Sequence, residues 1–313
     1  MSVWSDRAAG LALGVLLDAV FADPRRGHPV ALFGRAASRL EKALYADARA
    51  NGAGYVAVCV GAAAGAGLLA ERARGPLART ALTAAATWAV LGGTTLAREG
   101  ARMAAALEAG DLRAARERLP HLCGRDPSEL KAPELARATV ESLAENTSDA
   151  VVAPLFWGVV AGVPGLLTYR VINTLDAMVG HRSPRYERFG WAAARLDDAA
   201  NYVPARLTGL ITVLAAPDRR RALAVLRRDG HRHPSPNAGR CEAAFAGALD
   251  VTLGGANVYG GRVEHRPTMG DGPRPEVGDI RRAVRLTKAV SLAAAGAAVL
   301  AAWAVRRRVT SSG

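Results

Sequence analysis

Four stretches of this 313-residue chain gather the side chains able to do acid–base, cation or phosphate chemistry. The most acidic is Glu141-Ser142-Leu143-Ala144-Glu145-Asn146-Thr147-Ser148-Asp149. On a helix Glu141, Glu145 and Asp149 fall at i, i+4 and i+8, so three like charges share one face and repel. The stretch runs straight into the apolar block Ala150–Tyr169. Acids that close to lipid are expensive and call for compensation by arginines or a divalent cation. Carboxylate oxygens suit Mg2+, which takes one or two carboxylates with waters and substrate phosphates. The structural alternative is a helix N-terminus, where the macrodipole favours acids.

A second stretch, Tyr169 to His181, puts Asn173 and Asp176 at i and i+3 on one helical face. It continues through Tyr186, Phe189 and Gly190 to Leu196–Arg206. There the adjacent Asp197 and Asp198, beside Asn201, form another candidate cation site, and Arg206 offers a bidentate donor to phosphate or carboxylate. An Asp–Arg pair neutralising buried charge would use the same residues. In the third stretch, His231–Gly239, Ser235 or Asn237 can cap the following helix, whose free amides then suit an anion. Gly254–Gly261 after it reads as a flexible, backbone-exposing loop. The fourth, Asp23-Pro24-Arg25-Arg26-Gly27-His28-Pro29-Val30, reads alone as a helix-ending turn. His231 and His233 lack an HxxxH or HExxH partner, which argues against zinc, and no GxxxxGK[ST] loop or GxSxG elbow occurs.

The elements that must carry these stretches are apolar blocks separated by polar connectors. Half the residues are apolar, yet 22% are charged, a mixture that segregates along the chain. Crossing a hydrocarbon core of ~30 Å takes roughly 20 helical residues. On that basis spans are expected near residues 7–23, 53–70, 77–97 and 287–305, in a single membrane-embedded domain over 1–313. The blocks are rich in Ala and Gly, which permits close helix contact in lipid. Blocks 150–169 and 201–216 differ. The first contains Pro154, Gly162, Pro164 and Gly165, and the second is short and holds Arg206. Irregular backbone at membrane depth survives only inside protein or beside water, so these two are expected to be re-entrant or broken.

The net charge of +13 is carried almost wholly by arginine in the long connectors, which places those loops in the cytoplasm by the positive-inside rule. No basic stripe is interleaved with aromatics, so nucleic acid is not an expected partner. The scattered Cys59, Cys123 and Cys241 argue against a disulfide framework. The fold expected is an all-α, polytopic membrane helical bundle with long cytoplasmic loops, in which the four stretches converge on one cytosol-facing pocket at the bilayer boundary.

The strings themselves carry a resemblance. DPRRGHPV (23–30), ENTSDAVVAPLFW (145–157), NTLDAMVGHRSPRYERFGW (173–191), LDDAANYVPARLTG (196–209), HPSPNAG (233–239) and LGGANVYGG (253–261) occur in order over about residues 10 to 300. They resemble the adenosylcobinamide-phosphate synthase (CobD/CbiB) family of cobalamin biosynthesis. The resemblance implies a plasma-membrane enzyme joining a propionate carboxyl of adenosylcobyric acid to aminopropanol or its phosphate, with ATP and Mg2+. It implies roles too. Glu145, Asp149, Asp176, Asp197 and Asp198 are candidates for the catalytic and cation-binding acids, with Asp149, Asp176 and Asp197 as metal ligands. Arg206, Arg182 and Arg185 would neutralise phosphate charge. Asn146, Asn173, Asn201, Ser235 and Asn237 would orient corrinoid amides or phosphate. The competing class is a non-enzymatic membrane sensor of related fold, since fold need not fix function.

Overall fold

The computed structural model describes residues 3–24, 27–181, 183–259 and 262–311. In chain order the helices are α1 (Val3–Phe21), α2 (Pro29–Leu44), α3 (Arg49–Glu71), α4 (Pro76–Val90), α5 (Gly93–Glu108), α6 (Leu112–Arg118) and α7 (Ala132–Thr147). They continue with α8 (Ala153–Leu175), α9 (Trp191–Ala200), α10 (Tyr202–Ala215), α11 (Arg219–Asp229), α12 (Ala238–Leu249) and α13 (Val277–Ser311). Strands β1 (Leu253–Tyr259) and β2 (Arg262–Met269) form one antiparallel pair. The fold is therefore an all-α bundle of membrane type with, among the described residues, one antiparallel strand pair. Arg49–Glu71, a window within Ala132–Gly180, and Val277–Val305 are long and apolar enough to cross a membrane.

The chain divides into two compact units, each described by itself. Unit 1 comprises Met1–Gly92, Ala153–Asn201 and Ala295–Gly313, and unit 2 comprises Gly93–Val152 and Tyr202–Ala294.

In unit 1, α1 packs on α4 and α3 on α8. Tyr55 of α3 meets Phe189 at a ring-centroid distance of 5.3 Å, and Val56, Leu175 and Val179 close the core around them. Leu13, Leu16, Val58, Leu68 and Leu69 point outward, as side chains facing lipid would.

α8 is not a rod. Gly162 has φ 65°, ψ −145°, a left-side conformation that glycine adopts at low cost, and Pro164 follows without an N–H to donate. A Cβ on Gly165 would run into the Trp157 carbonyl, and the Cβ position of Gly158 lies 2.9 Å from Leu166 Cδ2. Residues eight apart on a straight helix are separated by about 12 Å. Ala153 likewise packs in one cluster with Tyr169 and Ile172. The block 150–169 is thus a helical hairpin turning at Gly162. Its tip is tied by two side chains. Glu71 Oε1 accepts the Val163 N–H at 3.1 Å, and Arg7, 3.4 Å from Glu71, donates to the Val159 carbonyl at 3.1 Å. Asp6 and Arg79 pair beside them at 2.7 Å.

Unit 2 centres on α12, whose Ala- and Gly-rich length is buried among α7, α10 and α11. Two sequence expectations change here. The apolar letters of residues 77–97 run on without pause, yet Leu91 is extended (ψ 154°), so α4 ends at Val90 and a separate α5 begins at Gly93. The glycine-rich 254–261 segment, expected to be a loop, is strand β1 through Tyr259. Its backbone is satisfied by β2 and by α7. Arg137 donates to the carbonyls of Gly254 and Ala256 at 2.7 Å each, and Glu141 Oε1 accepts the Gly254 N–H at 2.7 Å.

Candidate functional site

Unit 1 brings together one set of the sequence-derived residues. α8 delivers Asn173, and the π-helical turn Asp176–Gly180 follows it directly. α9 delivers Asp197 and Asp198 and ends at Asn201. Asn201 Nδ2 donates to Asp197 Oδ2 at 3.0 Å, and Asn173 Nδ2 approaches Asp197 Oδ1 at 3.5 Å. The Asp176 carboxylate folds back over Gly180, where a Cβ would strike its Oδ1. Burial raises the pKa of Asp197 to about 7, the nearby Asp176 charge adds to the rise, and the Asn201 and Asn173 donors oppose it. Asp198 is pushed up by burial and held down by Arg195.

Two acids so close, with amide donors on one of them, form a site that gains from a cation. Among the described residues no three His, Cys, Asp or Glu are grouped for a metal. Mg2+ is commonly held by one or two carboxylates and completed by water and phosphate. Asp176 and Asp197 are the residues that would hold it.

In unit 2 the acidic ladder separates into different environments. Glu141 is 5% exposed and fully engaged: Arg125 at 2.6 Å, Arg137 at 3.1 Å, and the Gly254 amide. Arginine supplies its compensation. Glu145 is exposed and Asp149 is half-buried one turn on. Both lie near Cys241, whose thiol is raised by burial first, then by Asp149 and, more weakly, Glu145. Glu242, next in α12, is raised by burial and by Glu141 and Glu145, with Arg266 and Arg125 opposing. His233 sits 3.8 Å from Glu242 and against Arg266, so burial and that guanidinium lower its pKa to about 4 and it stays neutral.

The remaining predicted residues have definite partners. Ser235 Oγ accepts the N–H groups of Asn237 and Ala238, so serine caps α12 while Asn237 is buried at its start. Asn146 donates to Ser142 O at 2.9 Å and Leu122 O at 3.3 Å, tying α7 to the loop before it. Arg206 donates to Tyr202 O at 2.6 Å and stacks on that ring. Arg185 reaches Glu41 at 3.1 Å and covers Tyr45. Arg182 lies outside the described residues, as do Arg25 and Arg26. In the same N-terminal stretch, His28 Nδ1 accepts the Val30 N–H, so the loop starts α2 as well as ending α1.

Comparison with known proteins supplies the deciding observation. The family model described as CobD/Cbib protein matches residues 11–287. The chain belongs to the CobD/CbiB family. Membership places it in cobalamin biosynthesis. The "Cobalamin biosynthesis protein CobD" of Mycobacterium bovis is 57% identical over 311 residues, covering 98% of each chain. That of Geobacter metallireducens is 45% identical over 282 residues, 87% of this chain and 89% of the relative. That of Rhodobacter capsulatus is 56% identical over 187 residues, 59% of this chain. No solved structure matches.

Sequence reasoning passed over Arg125, Arg137, Glu242 and Tyr169. The arginines stand alone in sequence and meet Glu141 only in the fold. Glu242 follows the SPNAG string, its one signal. Tyr169 opens a quoted stretch, but nothing in its spacing marks it.

Proposed function

We propose that the protein forms the amide between a propionate carboxyl of adenosylcobyric acid and the amine of aminopropanol or its phosphate, consuming ATP with Mg2+. The observation that carries this reading is the Asp176–Asp197 pair with its amide donors, in a chain of a cobalamin-biosynthesis family. At neutral pH a carboxylate and an ammonium form a salt, so the carboxyl needs activation. Transfer of the ATP terminal phosphoryl group to the carboxylate oxygen releases ADP and leaves an acyl phosphate. Attack by the neutral amine then forms the C–N bond, expels inorganic phosphate and releases one proton. Bound Mg2+ would draw charge from the phosphate oxygens. For the chain's own part, Asp176 and Asp197 would hold that cation, and the neighbouring Asp198, whose pKa burial raises, is proposed to accept the amine proton. Arg206 and Arg185 are proposed to hold phosphate charge, and Asn173 and Asn237 to orient the corrinoid's amides.

Purified protein incubated with adenosylcobyric acid, ATP, Mg2+ and aminopropanol phosphate should yield the amide, read by mass. Asp197→Ala and Asp149→Ala should abolish it while inserting normally in the membrane. Corrinoid binding without product would overturn synthesis in favour of a sensor.

The hairpin supports a plasma-membrane topology with the site on the cytoplasmic side. Its arms, 150–161 and 163–175, are each about 18–20 Å long, short of a ~30 Å core. The tip lies at the α3 end bearing Glu71, while Leu175 and Val179 pack by Tyr55 and Val56 in the opposite half of α3. Both arms thus open toward one side, and the Arg-rich connectors favour the cytoplasm for that side. A cysteine at Ala177 should react with an impermeant maleimide added from the cytoplasmic side. Labelling from the opposite side alone would refute the arrangement.

A further inference from the structure

Asp197 is held by a hydrogen-bond chain that ends on Tyr169. The Tyr169 hydroxyl donates to Asn201 Oδ1 at 2.9 Å, and Asn201 Nδ2 donates to Asp197 Oδ2 at 3.0 Å. Tyr169 and Asn201 are 1% and 2% exposed, so water does not substitute freely for either partner. The Asn201 backbone N–H also bonds to the Asp197 carbonyl at 2.9 Å, which fixes this side chain at the end of α9.

An asparagine amide is nearly symmetric in shape, and only its partners decide which end faces which. An ionised carboxylate solely accepts, so Nδ2 faces Asp197. The phenol satisfies the opposite end. Without it, Oδ1 becomes a buried acceptor lacking its donor, and the amide is no longer held at that end, so the whole side chain is free to swing toward another donor. Such a swing draws Nδ2 away from Asp197 and frees the carboxylate to turn toward other partners. We infer that Tyr169, acting through Asn201, is the positioning residue that holds the Asp197 carboxylate for a divalent cation shared with Asp176. The inference rests on the proposed cation role of this pair and adds a residue in its outer layer, where loss of an orienting partner typically weakens metal binding 10–100-fold.

The test uses Mn2+ alone as a paramagnetic probe of the full-length protein in detergent, without substrates. Tyr169→Phe, one oxygen smaller, should bind Mn2+ about tenfold more weakly than wild type at the lower end of that range. Asn201→Leu should weaken it at least as much and serves if Tyr169→Phe does not fold. Trp157→Phe is the control: it removes the 3.0 Å bond from Trp157 Nε1 to the Ala200 carbonyl in the same layer and leaves the Tyr169–Asn201–Asp197 chain intact. It should keep wild-type affinity. Equal affinity in Tyr169→Phe and wild type would overturn the role of Tyr169. An equal loss in Trp157→Phe would overturn it too, because general loosening would then explain the effect. Wild-type protein that binds no Mn2+ would remove the cation itself, whereas failure of amide synthesis with Mn2+ binding intact would strike only the proposed reaction.

Discussion

Replacing Glu141 by Gln should cost stability far out of proportion to the one atom changed. Its carboxylate receives Arg125 on one oxygen at 2.6 Å and both Arg137 (3.1 Å) and the Gly254 N–H (2.7 Å) on the other. All three residues are at most 5% exposed. In Gln the Oε1 contacts survive, but an NH2 group faces the Arg125 donor, so the buried guanidinium loses its ion pair with Glu141. Breaking a buried pair in this way costs about 3–5 kcal/mol. A unit of this size shifts its melting point roughly 2–4 °C per kcal/mol, so a drop of about 6–20 °C is expected. Differential scanning calorimetry in detergent reads it. The exposed Glu145→Gln is the reference and should move little. Apolar replacement of buried ion pairs is often neutral elsewhere. It should not be here, because Arg137 also serves the Gly254 and Ala256 carbonyls and Glu141 serves an amide. A Glu141→Gln protein melting within about 2 °C of wild type would refute the reasoning.

His233 gives a pH prediction. Its pKa falls from 6.5 to about 4 in the fold through burial and Arg266, so the unfolded chain binds more protons between those values. Stability from this residue is fully present above 6.5 and is lost as pH falls toward 4, by at most about 3 kcal/mol. His233→Gln should flatten that limb of the melting curve, and an unchanged slope would remove the residue from the account. Gly180→Ala should push the Asp176 carboxylate off its place over Gly180 and cut amide synthesis about 100-fold at nearly unchanged melting temperature, since small misplacements of reacting groups cost that much. Glu71→Ala should leave the Val163 N–H without its acceptor and cost about 1–3 kcal/mol, with Glu71→Gln recovering part of it, as measured by fluorimetry.

What was legible in the sequence was whatever chemistry acts locally. Gly162, Pro164 and Gly165 announced irregular backbone by composition, and the turn falls on the first of them. Asp197 and Asn201 are grouped by their closeness in the sequence, and they do hydrogen-bond. Distance in sequence hid the rest. The 254–261 segment read as a loop because glycine composition is local, whereas Arg137, which holds its backbone, lies 117 residues upstream of Gly254. The acidic face of 141–149 was visible as a set, but which acid arginine would claim depended on Arg125, approaching from outside the helix. At Leu91 hydropathy carried no warning, because a backbone torsion rather than a polar side chain ends α4. Tyr169 was opaque for another reason: its role lies in one oxygen atom, and an aromatic at that place is equally a core residue.

The order of segments along the chain has a consequence for synthesis in the cell. Unit 1 opens the polypeptide, resumes at Ala153 after sixty residues of unit 2, and receives its last piece only from Ala295 onward. A ribosome therefore finishes neither half before starting the other, and no contiguous fragment contains the whole of unit 1. Arg7 and Glu71 emerge early enough to neutralise each other while the Val159 carbonyl and Val163 amide that they hold are still unmade. Premature termination anywhere before the final helix would leave a product that lacks the last piece of unit 1.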